Sequence, residues 1–205
     1  MASPSVVLSD IGGVLLTNGW DHESRARAVS RFALDAGFEA RHHALAHSLD
    51  CSTITLDDYL DRVVFDRVRT FTRADFVDFM KGESQPFPES LALLAELAAA
   101  ARAGRFRLAA LNNESRELHA YRVATFGLAA HFQVFFTSCY LQHAKPHPTI
   151  YARALEMLAV PAAACVFIDD RAENLEPAAA LGIRCIRHTS AAETRAALVA
   201  DGIAL

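Results

Sequence analysis

Five short apolar runs, at residues 5–9, 106–111, 132–136, 165–168 and 183–186, punctuate the chain, with helical patterns between them. Strand-length apolar runs alternating with helices predict a parallel sheet whose crossovers are helices. Leu91, Leu94, Ala95 and Ala98 recur at helical spacing, as do Leu118, Tyr121, Ala124 and Leu128, and then Leu175, Ala178 and Ala179. Each set makes one apolar stripe. Pro148 suits the first turn of a further helix through Ala152 and Leu155, where its missing N–H costs nothing. Gly127 and Gly182 fall near helix ends, where a residue without a Cβ is favoured. The fold class expected is α/β, with a Rossmann-like parallel-sheet core.

The alternation fails between residues 18 and 85, which carry several helical patterns and no convincing strand. Leu56, Tyr59, Leu60, Val63 and Val64 follow the i, i+3, i+4, i+7, i+8 spacing of an amphipathic helix. Thr55-x-x-Asp58 and Thr72-x-x-Asp75 resemble helix-starting boxes with Asp in place of the usual Glu. Pro86 and Pro88 mark a return to the alternating pattern. The organisation expected is a catalytic core of residues 1–17 and 86–205 with a helical cap of residues 18–85 inserted after the first strand.

A chain of 205 residues can bury one good core and a modest insertion. Its 52% apolar and 21% charged residues and net charge of −4 suggest neither disorder nor a nucleic-acid surface, so the partner expected is a small molecule. Cys51, Cys139, Cys165 and Cys185 lack metal-binding spacing and read as reduced core residues. The N-terminus has no basic region and no long apolar stretch, which argues against secretion and membrane insertion and leaves a cytoplasmic location by default. Nothing in the pattern fixes an oligomeric state.

Chemistry-bearing residues gather at strand ends. Val6-Val7-Leu8-Ser9 leads to Asp10, Leu108-Ala109-Ala110-Leu111 to Asn112-Asn113, and Val166-Phe167-Ile168 to Asp169-Asp170. Lys145-Pro146 lies between the second and third of these, and Lys145 is one of only two lysines among 20 basic residues. An ammonium is a compact point charge that arginine's planar fork does not reproduce. In an open parallel sheet the carboxyl ends of the strands share one edge, where ligands bind, so residues distant in sequence can meet there. A carboxylate nucleophile, an amide donor, an ammonium and a second carboxylate suit phosphoryl transfer, which rests on positioning and charge neutralisation.

From Val6 to about Gly182, these four motifs in this order resemble the haloacid dehalogenase superfamily. The resemblance implies a nucleophilic Asp10 that forms an aspartyl-phosphate, with Asn112, Asn113 and Lys145 binding the phosphoryl group. It implies Mg2+ held by Asp10, Asp170 and the carbonyl of Gly12, an orienting role for Asp169, and support of the metal shell by Asn174. A helix N-cap is the other reading of Asn174, and a cap near Ser115 the other reading of Asn113. Two departures stand out: Asn112 replaces a Ser or Thr, and Gly12 replaces the aspartate that protonates the leaving alcohol in many of the family's phosphatases. Gly12 also occurs in members resembling α-glucose-1-phosphatase, which brings sugar phosphates forward as substrates.

The reading that follows is a magnesium-dependent phosphatase acting on a small phosphorylated metabolite. Its rivals are a metal-free dehalogenase and a non-catalytic binding protein that keeps an inherited site. Without an acid at position 12, a substitute has to come from the cap or from water. Asp21 and His22 follow the nucleophile loop closely enough to be considered, although Asp21 also reads as a helix cap and Trp20 as packing. His42, His43 and His47 read as cap surface.

Overall fold

The computed structural model describes residues 3–205; the first two residues of the expected 1–17 core segment lie outside that range. In chain order the elements are β1 (Val6–Ser9), α1 (His22–Phe32), α2 (Phe38–Asp50), α3 (Leu56–Val63), α4 (Arg73–Gly82), α5 (Pro88–Arg102), β2 (Arg107–Asn112), α6 (Arg116–Thr125), β3 (Val134–Thr137), α7 (Ser138–Leu141), α8 (Pro148–Leu158), β4 (Cys165–Asp169), α9 (Ala172–Ala180), β5 (Arg184–Arg187) and α10 (Ala191–Ala200). The five strands form one sheet in the order β3-β2-β1-β4-β5, and every pair is parallel.

Strand periodicity sends alternate residues to opposite faces, and both faces are covered. Val6 and Leu8 pack with Ala109, Leu111 and Phe167 against Ile150, Tyr151 and Ala154 of α8. Val7 packs with Leu108, Ala110, Val166 and Ile168 against Leu93, Leu94 and Leu97 of α5 and Leu198 of α10. The alanine-rich α10, capped by Ser190, has no strong apolar stripe and was not anticipated from the pattern.

Helices α1–α4 bury an apolar cluster of their own, including Phe38, Leu60, Val63, Phe76 and Met80, to which Leu118 of α6 also belongs. Thr55 and Thr72 both form complete capping boxes with Asp58 and Asp75, and Asp21 caps α1 by accepting from Ser24 N at 2.9 Å. Trp20 packs edge-on against Phe38 and Phe76 and donates to Tyr59 Oη. His42 is not on the surface as expected: it is buried, with Nδ1 2.8 Å from Tyr59 Oη. The chain leaves and rejoins the sheet layer side by side, with Thr17 N donating to Gln85 O and Phe87 N to Leu15 O. Among the described residues no helix is long and apolar enough to cross a membrane.

Candidate active site

Register brings the site together. Ser9 lies level with Ala110 on one side and Ile168 on the other, so Asp10 emerges beside the carboxyl ends of β2 and β4. Its N–H donates to Ile168 O at 2.8 Å, which extends the pairing by one residue and fixes the carboxylate at the sheet edge. Asp10 Oδ1 accepts from Ile11 N at 2.7 Å, and Oδ2 lies 2.7 Å from Lys145 Nζ. The same ammonium lies 2.6 Å from Asp169 Oδ2.

Lys145 is therefore a buried cation shared by two carboxylates, and Asn113 holds it in place. Asn113 Nδ2 donates to Lys145 O and its Oδ1 accepts from Lys145 N, both at 2.8 Å. The side chain that had a cap of α6 as its other reading is thus committed to the lysine loop, and Ser115 caps α6 instead, while the Asn113 backbone N–H is the donor expected to reach substrate. Asn112 is buried, with Oδ1 accepting from Thr137 Oγ1 at 2.9 Å. Asn174 does not cap α9, whose N-cap is Arg171. Its Nδ2 donates to both oxygens of Asp169, at 3.0 and 3.1 Å, so it acts on Asp169.

Burial raises the Asp10 carboxyl to about 7, opposed by Lys145, while the nearby Asp169 pushes the same way as burial. Burial pulls the Lys145 ammonium down, but its two carboxylate neighbours outweigh that and hold it above the ordinary lysine value. An ammonium that stays charged between two carboxylates is the arrangement needed to bring an anionic group up to an anionic nucleophile.

Asp10, Asp169 and Asp170 each offer an oxygen within 4.8 Å of the others, a group able to hold a metal ion. Among the described residues Asp170 Oδ1 is buried without a hydrogen-bond partner, an expensive state for a carboxylate oxygen that a cation relieves. An all-oxygen set of this kind fits a hard divalent cation that keeps several waters. Gly13, at φ +73°, makes room for it, because a Cβ there would lie 2.3 Å from the Asp170 carboxylate. Gly12 is not in the positive-φ region, and a Cβ there would lie 3.1 Å from Asn18 Oδ1 and 3.6 Å from Arg122 Nη1.

Above Asp10 and Lys145 opens a cavity of about 410 Å³, walled by Gly12, Glu114, Arg122 and Arg171 from one side and Trp20, Arg25, His42 and Asp50 from α1, α2 and the approach to α1. Arg122 and Glu114 form a buried ion pair at 3.2 Å. Sequence reasoning passed over this pair and Asp50. Glu114 directly follows Asn112-Asn113, a cue that it would face the site, whereas Arg122 and Asp50 sit on helices with no motif around them. His22 borders the cavity but is exposed, and Asp21 borders it with its carboxylate used as a helix cap.

Fold and site together define a parallel α/β enzyme core with an aspartate and a lysine joined at the sheet edge. A family model for haloacid dehalogenase-like hydrolases matches residues 4–182, and the chain belongs to that family. It is 32% identical over 124 residues to Protein CbbY of Rhodobacter capsulatus, a match covering 55% of each, so the aligned region spans about half the length of that relative. In structure it resembles a HAD family enzyme of Bacteroides thetaiotaomicron, with a TM-score of 0.75 and 19% identity over 91% of this chain and 94% of the other. The same enzyme solved with magnesium and inorganic phosphate gives 0.73 at 19% identity, covering 90% and 93%. The L-2-haloacid dehalogenase of Xanthobacter autotrophicus with chloropropionic acid covalently bound gives 0.62 at 20% identity, covering 98% and 85%. At these identities the structural likenesses establish the fold.

Proposed function

We propose that this hydrolase is a magnesium-dependent phosphatase acting on a small phosphorylated metabolite, sugar phosphates foremost, through an aspartyl-phosphate on Asp10. The observation that carries the reading is the unpartnered Asp170 oxygen beside the Asp10–Lys145–Asp169 cluster, because a displacement needing no cation has no use for a third carboxylate there. Asp10, Asp170 and the carbonyl of Gly12 would hold magnesium, which when bound would offset the charge of the phosphoryl oxygens.

Lys145 keeps Asp10 and the incoming phosphoryl group from repelling each other. The bond from Thr137 to Asn112 Oδ1 leaves the amide nitrogen of Asn112 to donate to a phosphoryl oxygen, and the Asn113 N–H adds a second donor. Asp10 attacks phosphorus in line with the leaving oxygen, and splitting hydrolysis into two displacements lowers each barrier. Residues 18–85 act as the cap that closes over this chemistry, and the polar walls of the cavity suit a hydroxyl-rich substrate.

The test is phosphate release from a panel of metabolite phosphates with and without magnesium, alongside halide release from 2-haloacids. Phosphate release that requires magnesium, with labelled phosphate trapped on Asp10, supports the reading. Metal-independent halide release would replace it with a dehalogenase, the acidic cluster notwithstanding.

A further inference from the structure

The absence of an acid at Gly12 leaves the leaving oxygen without a proton donor, and the cavity wall contains a candidate that no family motif marks. Asp50 is the last residue of α2, and it lines the cavity that contains Asp10. Its position over the core is pinned: Ser138 Oγ donates to Asp50 O at 2.6 Å and accepts from Glu114 N at 2.9 Å. One hydroxyl thus ties the end of α2 to the loop two residues beyond Asn112. Arg116 N also donates to Ser52 Oγ, and Leu56 N to Glu117 Oε1, so the whole turn after α2 is fastened to α6.

The other carboxyls around the cavity are mostly committed. Asp10 holds Lys145, Asp21 caps α1 and Glu114 holds Arg122, while Glu173 stands exposed. Among the described residues the Asp50 carboxyl has no hydrogen-bond or ion-pair partner, although the residue is half-buried. Burial pushes it up to about 7, with Glu114 adding to the effect and Arg171 and Arg25 opposing it. Its place at a helix C-terminus works in the same direction, because the partial negative charge there disfavours a carboxylate. The result is a carboxyl raised toward neutrality by burial, on a residue that lines the same cavity as Asp10.

Resting on the phosphatase reading, we propose that Asp50 is the general acid and base of this enzyme, delivered from the inserted helices in place of the residue missing at position 12. In the first step the bond between phosphorus and the leaving oxygen breaks as the bond to Asp10 forms. The leaving oxygen keeps the electron pair and takes the Asp50 proton, and alcohol departs. In the second step water attacks phosphorus, its proton passes to the Asp50 carboxylate, and the bond to Asp10 breaks, which regenerates both carboxyl groups and releases phosphate.

The experiment compares the parent with Asp50→Asn on p-nitrophenyl phosphate and on an alkyl phosphate, with magnesium present, in rapid-mixing and steady-state modes. A nitrophenolate leaves without a proton. Asp50→Asn is therefore expected to give a burst of one nitrophenolate per site at nearly the parent rate, followed by turnover slowed about 10²–10⁴-fold. On the alkyl phosphate it gives no burst, and kcat/KM falls by a similar factor. In the parent, kcat/KM for the alkyl ester falls as pH rises through about 7; the nitrophenyl ester lacks this limb, and so does the mutant with either ester. Equal losses of kcat/KM on the two esters, or a rise in KM alone, would make Asp50 a binding or structural residue and overturn the proposal. A parent that releases phosphate from neither of these esters nor any metabolite phosphate defeats the phosphatase reading itself. If Asp50→Asn does not melt cooperatively, Asp50→Ser, equally unable to donate from a carboxyl, gives the same readout.

Discussion

The Asp170 carboxylate occupies the space in which a side chain at Gly13 would begin, 2.3 Å from the position of a Cβ. The acidic pair at the end of β4 and the turn after β1 are therefore fitted to each other through a missing methyl group. Gly13→Ala meets two costs: an L-residue at φ +73°, about 1–2 kcal/mol, and the displacement of Asp170. The expected outcome is a modest fall in Tm and a much higher magnesium requirement. Gly12→Ala, with ordinary φ and a 3.1 Å contact to Asn18, should leave the magnesium response close to that of the parent. Titration of activity against magnesium separates the two.

Among the described residues Lys145 is the sole counter-charge placed between Asp10 and Asp169, at 2.7 and 2.6 Å. Removing one member of a buried ion pair leaves uncompensated charge and costs about 3–5 kcal/mol. Lys145→Met should lose that much stability along with turnover. Magnesium should restore part of the stability and none of the turnover, because a cation neutralises the carboxylates without replacing the ammonium's contact to substrate. Thermal melts with and without magnesium check this; a Tm unchanged from the parent would show that the carboxylates are not ionised together.

Two histidines give a pH dependence of stability. His42 is held down to about 4 by burial and by Arg25, and His119 to about 4 by burial and Arg122. A folded value below the unfolded value means that the unfolded chain binds more protons, so stability is complete above about pH 6.5 and is lost as pH falls toward 4. Each should contribute on the order of 1–3 kcal/mol over that interval. Urea melts from pH 7 to pH 4.5 should show a decline that is shallower in His119→Asn, whose amide does not gain charge.

The sheet, the Thr-x-x-Asp helix starts and the three strand-end motifs were legible because each is local: short apolar runs, a capping hydroxyl, a polar group where an apolar run stops. Lys145 was legible because one of only two lysines among so many arginines is conspicuous. The companions of those residues were not. Asn113 fixes Lys145 through both backbone groups, a relation across 32 residues that leaves no periodic trace. Arg122 reaches Ser84 Oγ and Thr17 O as well as Glu114, joining both chain crossings to α6, and its neighbours in sequence read only as a helix. His42 was misplaced for a similar reason, since α2 has little amphipathic contrast and its buried face cannot be told from composition.

Arg122 also bears on what an aspartate at position 12 would do. The backbone accepts one, because Gly12 lies outside the positive-φ region and the closest obstruction is the end of a flexible Asn18 side chain at 3.1 Å. Its Cβ would lie 3.6 Å from Arg122 Nη1, however, so the new carboxylate would face a guanidinium. A nearby cation favours the ionised carboxyl, and an ionised carboxyl has no proton to give. Gly12→Asp introduced into Asp50→Asn should therefore fail to restore alkyl phosphate hydrolysis at pH 7, and should recover activity only as pH falls toward the ordinary carboxyl range. The same double mutant carrying Arg122→Gln should recover at higher pH, at some cost in stability from the orphaned Glu114. The kcat/KM profile of the three variants on one alkyl ester decides it: full rescue at pH 7 by Gly12→Asp with Arg122 intact would show that the guanidinium is spent on Glu114 and exerts no hold on position 12.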